Sequence, residues 1–440
     1  MGRGVTWPVM LLVASIAGTS QAADRWQLSE ATQKGDLSRI RIEMKLEGHL
    51  LLRSGDKTTQ LPLQATARHD FVERVVDVDQ QGRPTQTVRH YDTARATITV
   101  HGVPRPRELR PERKLQVVQT LRKRTVSYSP QGPMSREEEE LIGQHFNTLA
   151  LGGVFPEKEV GLGESWRLAP YAVQGLCGLD ALVSHEVQGT LKSVQNNQAT
   201  VRITGTVEGI TAGAEVRLDV SGKLSFDLQQ KRWTSVEWNQ KEQRTQGPVS
   251  PASKTETTIH VQRDFPEKAD ALSDEIVSGL PATPDEAALH LVFREPKGRW
   301  EFLYDRNWHL VTQTDQYAVL RLIEDGELLG QLNITYLPRA KRGEHISVEE
   351  LQKLVREAPG FRIEQVIQSG EVPAEKGCWI YRLSVVGRAD DLPIVQNVYA
   401  IAGPDGDQVL MAFTTEVSQV ERFGVRDLAI VGSVTFKPAK

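Results

Sequence analysis

The sequence predicts an α+β protein: a β-rich antiparallel amino-terminal domain with one helix, followed by an α/β/α sandwich domain built on an antiparallel sheet. Three observations lead there. Long segments alternate apolar and charged residues with a period of two, the pattern of half-buried antiparallel strands. Two Ser-x-x-Glu capping boxes, at Ser135–Glu138 and Ser347–Glu350, each precede apolar residues at helical spacing. Between the two patterns, Pro266, Pro281, Pro284 and Pro296 punctuate short acidic stretches, as a linker does. A chain of 440 residues is long enough for two or three domains. The expected division is 1–22, 23–265, 266–296 and 297–440.

The first residues are expected to be removed. Arg3 gives a positive start, "VMLLVASIAG" (Val9–Gly18) is a short apolar core, and "SQA" (Ser20–Ala22) places small residues before the cut. This is the pattern of a secretory signal peptide cleaved between Ala22 and Ala23. The apolar core is too short to cross a bilayer. The mature chain is therefore expected to be soluble, in the periplasm or secreted, with no transmembrane segment.

The first strand is "SRIRIEMKLEG", in which Ile40, Ile42, Met44 and Leu46 alternate with Arg39, Arg41, Glu43 and Lys45. "FVERVVDVD", "ATITVHG" and "KLQVVQTLRKRTVSYS" continue in the same style. A helix follows, capped by Ser135, with Leu141, Ile142, Phe146 and Leu149 as its apolar stripe and Gly152 and Gly153 at its exit. A second β series runs from "VSHEVQGTLKSV" to "TETTIHVQRD", its strands parted by short polar turns, as in a meander. In the last third, strands are predicted at Trp300–Tyr304, Tyr317–Ile323 and Leu328–Leu337. A helix capped by Ser347 should bury Leu351, Leu354, Val355 and Ala358. Strands "FRIEQVI", "CWIYRLSVVG" and "IVQNVYAIAG" come next, and the "PDGD" turn joins the last of them to "QVLMAFTTE" as a hairpin. One closing helix should carry Val417, Val420, Gly424, Leu428 and Val431 along one side.

This order of elements resembles the PsbP-like and DcrB-like domains of extracytoplasmic proteins. The residues that carry the resemblance are "NWHLV", "GCWIYRLSVV" and "VERFGVRDLAIVGSVTF", about a third of the chain. Asn307 stands where that family usually has glycine, within a Pro-x-Gly-Trp motif. The resemblance implies an α/β/α sandwich and transfers no catalytic residue. "FPEKEVGLGESWRL" is similar to a segment of uncharacterised bacterial envelope proteins.

The sequence offers little chemistry. None of the ten histidines lies three to five residues from another, so zinc-type spacing is absent. There is no CxxC, GxSxG elbow or Walker loop, and no cofactor is expected. A net charge of −4 gives no field to gather nucleic acid. The two cysteines, Cys177 and Cys378, admit two separate thiols or a single bridge. His145 reads as a core-edge histidine, and in "DRNWHLV" Trp308 should face the core and His309 the solvent. Asn333 begins an Asn-Ile-Thr glycosylation triplet. Residues 105–124 hold eight basic and two acidic residues, and Arg122 and Arg124 are the candidate pair for an anionic ligand. The same strip also suits a solvated strand edge. The functional expectation is an exported, non-enzymatic binding or scaffold protein of the bacterial envelope, its partner an envelope component or an anionic or apolar ligand. A carrier of lipid in a curved sheet, and an uncharacterised hydrolase, are the alternatives.

Overall fold

A computed structural model of the chain describes residues 24–30, 32–55, 57–121, 124–143, 147–281, 283–375 and 377–438. Its strands in chain order begin with β1 (Arg25–Trp26), β2 (Leu37–Ser54), β3 (Lys57–Val78), β4 (Pro84–Val100), β5 (Val103–Glu108), β6 (Leu115–Leu121) and β7 (Arg124–Tyr128). Helix α1 (Arg136–Gly143), strands β8 (Val160–Gly161) and β9 (Ser165–Arg167), and helix α2 (Pro170–Cys177) follow. Then come β10 (Ala181–His185), β11 (Gln188–Gln195), β12 (Gln198–Thr211), β13 (Ala214–Asp227), β14 (Arg232–Arg244) and β15 (Ala252–Asp264).

Thirteen of these strands form one antiparallel sheet, whose main path is β7-β6-β4-β3-β2-β15-β14-β13-β12-β11-β9. Strand β5 pairs with β4 and β10 with β12. The two β series predicted from sequence are thus one sheet. The join is β2 against β15, from Leu51 opposite Ala252 to Arg39 opposite Asp264. The first long strand of the chain therefore lies beside the last one of this region. Gly48 sits in that join, where a Cβ would lie 2.1 Å from the carbonyl oxygen of Lys254, so no other residue fits without moving β15.

The capping box forms as the spacing demands. Glu138 N–H donates to Ser135 Oγ at 3.2 Å, and Ser135 N–H donates to Glu138 Oε2 at 2.8 Å. The expected helix is only partly α-helical. Among the described residues its α-helical part covers Arg136–Gly143, and Thr148–Val154 is a 3-10 helix opened by Asn147, whose side chain accepts from Leu149 N–H. His145 and Phe146 lie outside the described residues. The stretch expected to be a linker holds a 3-10 turn (Asp270–Leu272) and helices α3 (Asp274–Ser278) and α4 (Glu286–Leu289). Leu272 and Ala288 pack with Val72, Val88, Val117 and Tyr128 of the sheet.

The remaining strands are β16 (Leu291–Arg294), β17 (Trp300–Tyr304), β18 (Trp308–Gln313), β19 (Tyr317–Glu324), β20 (Glu327–Tyr336), β21 (Arg362–Glu371), β22 (Trp379–Ala389), β23 (Leu392–Ala402), β24 (Gln408–Glu416) and β25 (Thr435–Phe436). Seven of them make an antiparallel sheet in the order β18-β19-β20-β24-β23-β22-β21, and β16-β17-β25 make a smaller one. Helices α5 (Val348–Arg356), α6 (Val420–Phe423) and α7 (Arg426–Gly432) complete the chain.

This corrects the predicted fold class. The protein is mostly β, a set of antiparallel sheets, and its last third is not the expected α/β/α sandwich. Two local facts explain the difference. Helix α5 has nine residues and buries only Leu351 and Val355, while Leu354 is exposed. The closing helix breaks at Gly424, whose φ of +58° cannot continue a right-handed helix. The break rotates the buried side to Phe423, Asp427, Ile430 and Val431, and leaves Val417, Val420 and Leu428 exposed. Buried Asp427 accepts hydrogen bonds at 2.8 Å from both Tyr399 Oη and Asn397 Nδ2, which makes its burial tolerable.

One buried cluster runs through both parts, from Ile42 and Leu141 to Trp300, Trp308 and Phe413. Polar contacts cross at the same place. Arg136 of α1 donates to the carbonyl oxygens of Arg306 and Trp308, and Arg306 pairs with Glu139 at 2.9 Å. Trp308 is buried as expected, but His309 is not on the outer surface. It is half-buried near this junction, where burial, then the nearby positive charge of Arg136, depresses its pKa to about 4.

Candidate functional site, an open apolar face of the long sheet

Residues directly opposite in an antiparallel pair share a face, so the register sorts the sheet into two sides. One side carries Ile40, Ile42, Met44, Leu46, Gly48, Leu50 and Leu52 of β2. Rows of neighbours then cross four strands. Arg105 faces Ile98, Ile98 faces Ala65, and Ala65 faces Leu46. In the next row Val103, Val100, Leu63 and Gly48 are opposite in turn, and Leu61 faces Leu50 beyond it. The other side of the same strands carries Lys45, Glu47, His49, Gln60, Gln64 and Thr97, which suits water.

Toward the middle of these strands the apolar side is closed. Ile42, Met44, Ala67 and Ala94 are buried in the cluster that includes Leu141 and Ile142 of α1. Toward the tips the cover ends. Leu46, Leu50, Leu61, Leu63, Ile98 and Val100 are only half-buried and lie outside the buried clusters. Leu52 and Val103 are exposed at 42% and 57%. From Leu46 to Leu52 this open face spans about 20 Å along the strand at ~3.3 Å per residue. Gly48 presents no side chain in the middle of it, so the face is notched between Leu46 and Leu50. Pro104 and Pro106 deprive β5 of two ladder donors, which blunts this edge of the sheet against further strand pairing.

The basic strip beside this face is largely neutralised. Arg107 pairs with Glu140 at 2.7 Å, and Arg110 with Glu138 at 2.5 Å. Burial pushes the Glu138 carboxyl up, but the Arg110 hydrogen bond and charge outweigh it and hold the group below the usual carboxylate range. Arg113 is buried and donates to the carbonyl oxygens of Glu112, Gln131 and Pro133. Lys114 reaches the carbonyl oxygen of Asp92 at 3.2 Å. Arg105 stays exposed on the apolar side, with no ion-pair partner among the described residues.

Of the residues singled out from sequence, Arg124 opens β7 opposite Leu121, and its side chain lies outside the described residues, as do Arg122, Ala22 and Ala23. Cys177 is an unbridged, buried thiol, and burial raises its pKa to about 12. Asn333 is half-buried in β20 and accepts from Gln331 Nε2 at 3.0 Å. The open face itself was missed. Its signal is present in "GHLLLRSGDKTTQLPLQATA", where Leu50, Leu52, Leu61 and Leu63 extend the apolar side toward the turn, but a sequence does not show what covers a strand.

Two hollows lie elsewhere among the described residues. One of about 20 Å³ is lined by Glu30, Glu73, Thr87, Thr148, Trp233 and Arg263, room for about one water. It belongs to a buried charge network. Glu73 accepts from Arg89 at 2.6 Å and from Thr148 at 2.9 Å, and Arg263 pairs with Glu30 and packs over Trp233. The other hollow, about 380 Å³, is an open groove at the β21–β22 turn, lined by Glu371–Ala374 and Cys378–Ile380.

No family model and no curated protein matches the chain. Among solved structures, a cyanobacterial PsbP from Synechocystis is similar at 16% identity over 36% of this chain and 99% of that one, with a TM-score of 0.25. A lipovitellin structure concerned with lipid–protein interactions is similar at 9% identity, covering 55% of this chain and 27% of its own, with a TM-score of 0.33. A protein from Bacteroides thetaiotaomicron is similar at 7% identity over 33% of this chain and 48% of that chain, with a TM-score of 0.24. These likenesses are partial and assign no activity. Among the described residues no helix is long and apolar enough to cross a membrane.

Proposed function

We propose that the protein is an exported, non-enzymatic binding protein of the bacterial envelope that holds an apolar ligand on the open face of β2–β5. One observation carries this reading: on β2–β5 the apolar side of the sheet continues past its cover, through Leu46, Leu50, Leu61, Leu63, Ile98 and Val100, before it turns polar at Thr59 and Lys57. Leaving such a face in water is unfavourable by roughly 25 cal/mol per Å², and a ligand that covers it recovers that free energy. The face is open at its rim, so exchange needs no unfolding of the core.

The test is direct. The mature protein, purified from its native envelope without detergent, should carry extractable lipid or another apolar compound by mass spectrometry. A fluorescent fatty-acyl probe should bind it in titration, and the double change Leu50→Gln, Leu61→Gln should weaken binding at least about tenfold, or ~1.4 kcal/mol. Equal probe affinity in both proteins, together with a clean extract, would sink the reading.

A further inference from the structure

We infer that the ligand is a lipid with an anionic headgroup, its chains lying along the open face of β2–β4 and its headgroup held by Arg105; this rests on the apolar-ligand reading above. Most cations beside the face are already engaged. The described side chains of the basic strip around the face are Arg105, Arg107, Arg110, Arg113 and Lys114, and four of the five already have partners. Arg107 and Arg110 are paired with α1 carboxylates, and Arg113 and Lys114 with backbone carbonyl oxygens. Arg105 alone among them is exposed with no ion-pair partner among the described residues.

Its position gives that charge meaning. Arg105 stands directly opposite Ile98, with Cβ atoms about 5 Å apart, in the row that continues through Ala65 to Leu46. It is two residues from Val103 on the same side of β5. A charged residue facing outward would serve solubility alone; this one is registered into the apolar side of the sheet, at its margin. An arginine there can lay its carbon stem along the face and keep its head in water. The planar guanidinium fork matches phosphate or carboxylate oxygens.

The opposite margin is different. On β14, Arg244 and Glu242 lie on the same side of the sheet and pair with each other at 2.9 Å, so that margin presents no net charge. Lys57 at the tip of β3 is exposed on the same side, so the field across the face is positive on its β3–β5 flank, with Arg105 beside the apolar rows and Lys57 at their far end. An amphipathic anion is oriented by this arrangement, whereas a neutral or cationic apolar ligand gains nothing from it.

The experiment compares a phosphatidylglycerol with the diacylglycerol bearing the same fluorescent chains, on the full mature protein. Wild type should prefer phosphatidylglycerol by about fivefold or more at low salt. Arg105→Gln should reduce that preference to about twofold or less while leaving diacylglycerol binding unchanged, and Arg105→Lys should restore part of it. Because Arg105 is exposed, neither change threatens the fold. A preference that survives Arg105→Gln, or equal binding of the two lipids by wild type, overturns the headgroup assignment and leaves the apolar-ligand reading standing. Failure of both lipids to bind overturns both. Glycerol phosphate without chains should not displace the bound lipid; if it binds alone with similar affinity, the site takes a free phosphate and the lipid assignment fails. A dimer in sedimentation that Leu50→Gln dissociates would give the face to a second copy of the chain and likewise overturn the inference.

Discussion

The thirteen-stranded sheet has two ends that follow the same sequence rule and meet different fates. Along β12, β13 and β14 the apolar side carries Val201, Ile203, Leu218, Leu224 and Trp238, each 3% exposed or less. Helix α2, the 3-10 helix at Thr148–Val154 and Phe155 supply cover there, with Val173, Leu176, Leu151 and Val154 in the same buried cluster and the Phe155 and Phe226 rings 5.1 Å apart. Along β2, β3 and β4 the same side begins equally apolar, is buried as far as Met44, Ala65 and Ala67, and then emerges at Leu46, Leu50 and Leu63. Strand periodicity is the same at both ends. The difference lies in what the chain lays across the face, and it separates a part of the sheet built for stability from a part available for binding.

The strongest test of that comparison lies at the covered end. Trp238→Ala should cost about 3–5 kcal/mol in denaturant unfolding, since it empties a large, fully buried site. A loss under about 1 kcal/mol would mean that this end is not the stabilising one.

Next comes the polar end of the same β2–β4 strands. Glu73→Ala leaves the Arg89 guanidinium buried without its carboxylate and should cost roughly 3 kcal/mol. The double change Glu73→Ala, Arg89→Met should recover most of that loss. If the double variant is as unstable as the single one, lost packing rather than the stranded charge is the cause.

The junction of the two parts should show in pH dependence. His309 is held to a pKa of about 4 in the fold, against about 6.5 in the unfolded chain. Below pH 6.5 the unfolded chain takes up a proton that the folded imidazole, half-buried near the charge of Arg136, refuses. Stability is therefore complete above that value and declines as pH falls toward 4, on the order of 1–3 kcal/mol from this group. His309→Gln should flatten the slope between pH 7 and 4.5; an unchanged slope would mean that this histidine does not carry it.

The smallest effect on stability belongs to the open end. Leu50→Ala with Leu61→Ala should change the unfolding free energy by no more than about 0.5–1 kcal/mol per site while it lowers acyl-probe affinity. A loss comparable to that of Trp238→Ala would show that the tips are part of the core and dissolve the distinction between the two ends.

Much of the fold was legible in the residues. Ile40, Ile42, Met44 and Leu46 marked β2, Ser135 and Ser347 marked two helix starts, and "QVLMAFTTE" is β24 to the residue. The misreadings share a cause. Val417, Val420, Gly424, Leu428 and Val431 fit a helical stripe on paper, but a single glycine with positive φ breaks the helix, so that Val431 is buried as expected while Val417, Val420 and Leu428 are exposed. Leu354 fits the stripe of α5, but that helix meets the sheet along the narrow line of Leu351 and Val355. His309 was placed in water by alternation, which says which side of a strand a residue takes and nothing about what packs against that side.

By itself, then, the sequence determined the local grammar of this protein. Period-two alternation set the strands and their two sides, capping boxes set helix starts, and proline and glycine set the breaks, because each depends on residues close together in the chain. The pairing of β2 with β15, the cover over one end of the sheet and its absence over the other, and the neutralisation of all but Arg105 among the described side chains of the basic strip were decided only by tertiary structure. Those depend on residues far apart in sequence: Leu51 with Ala252, Arg110 with Glu138, Arg136 with Trp308. No local pattern encodes what stands across a sheet, and whether an apolar face becomes core or binding surface rests on that.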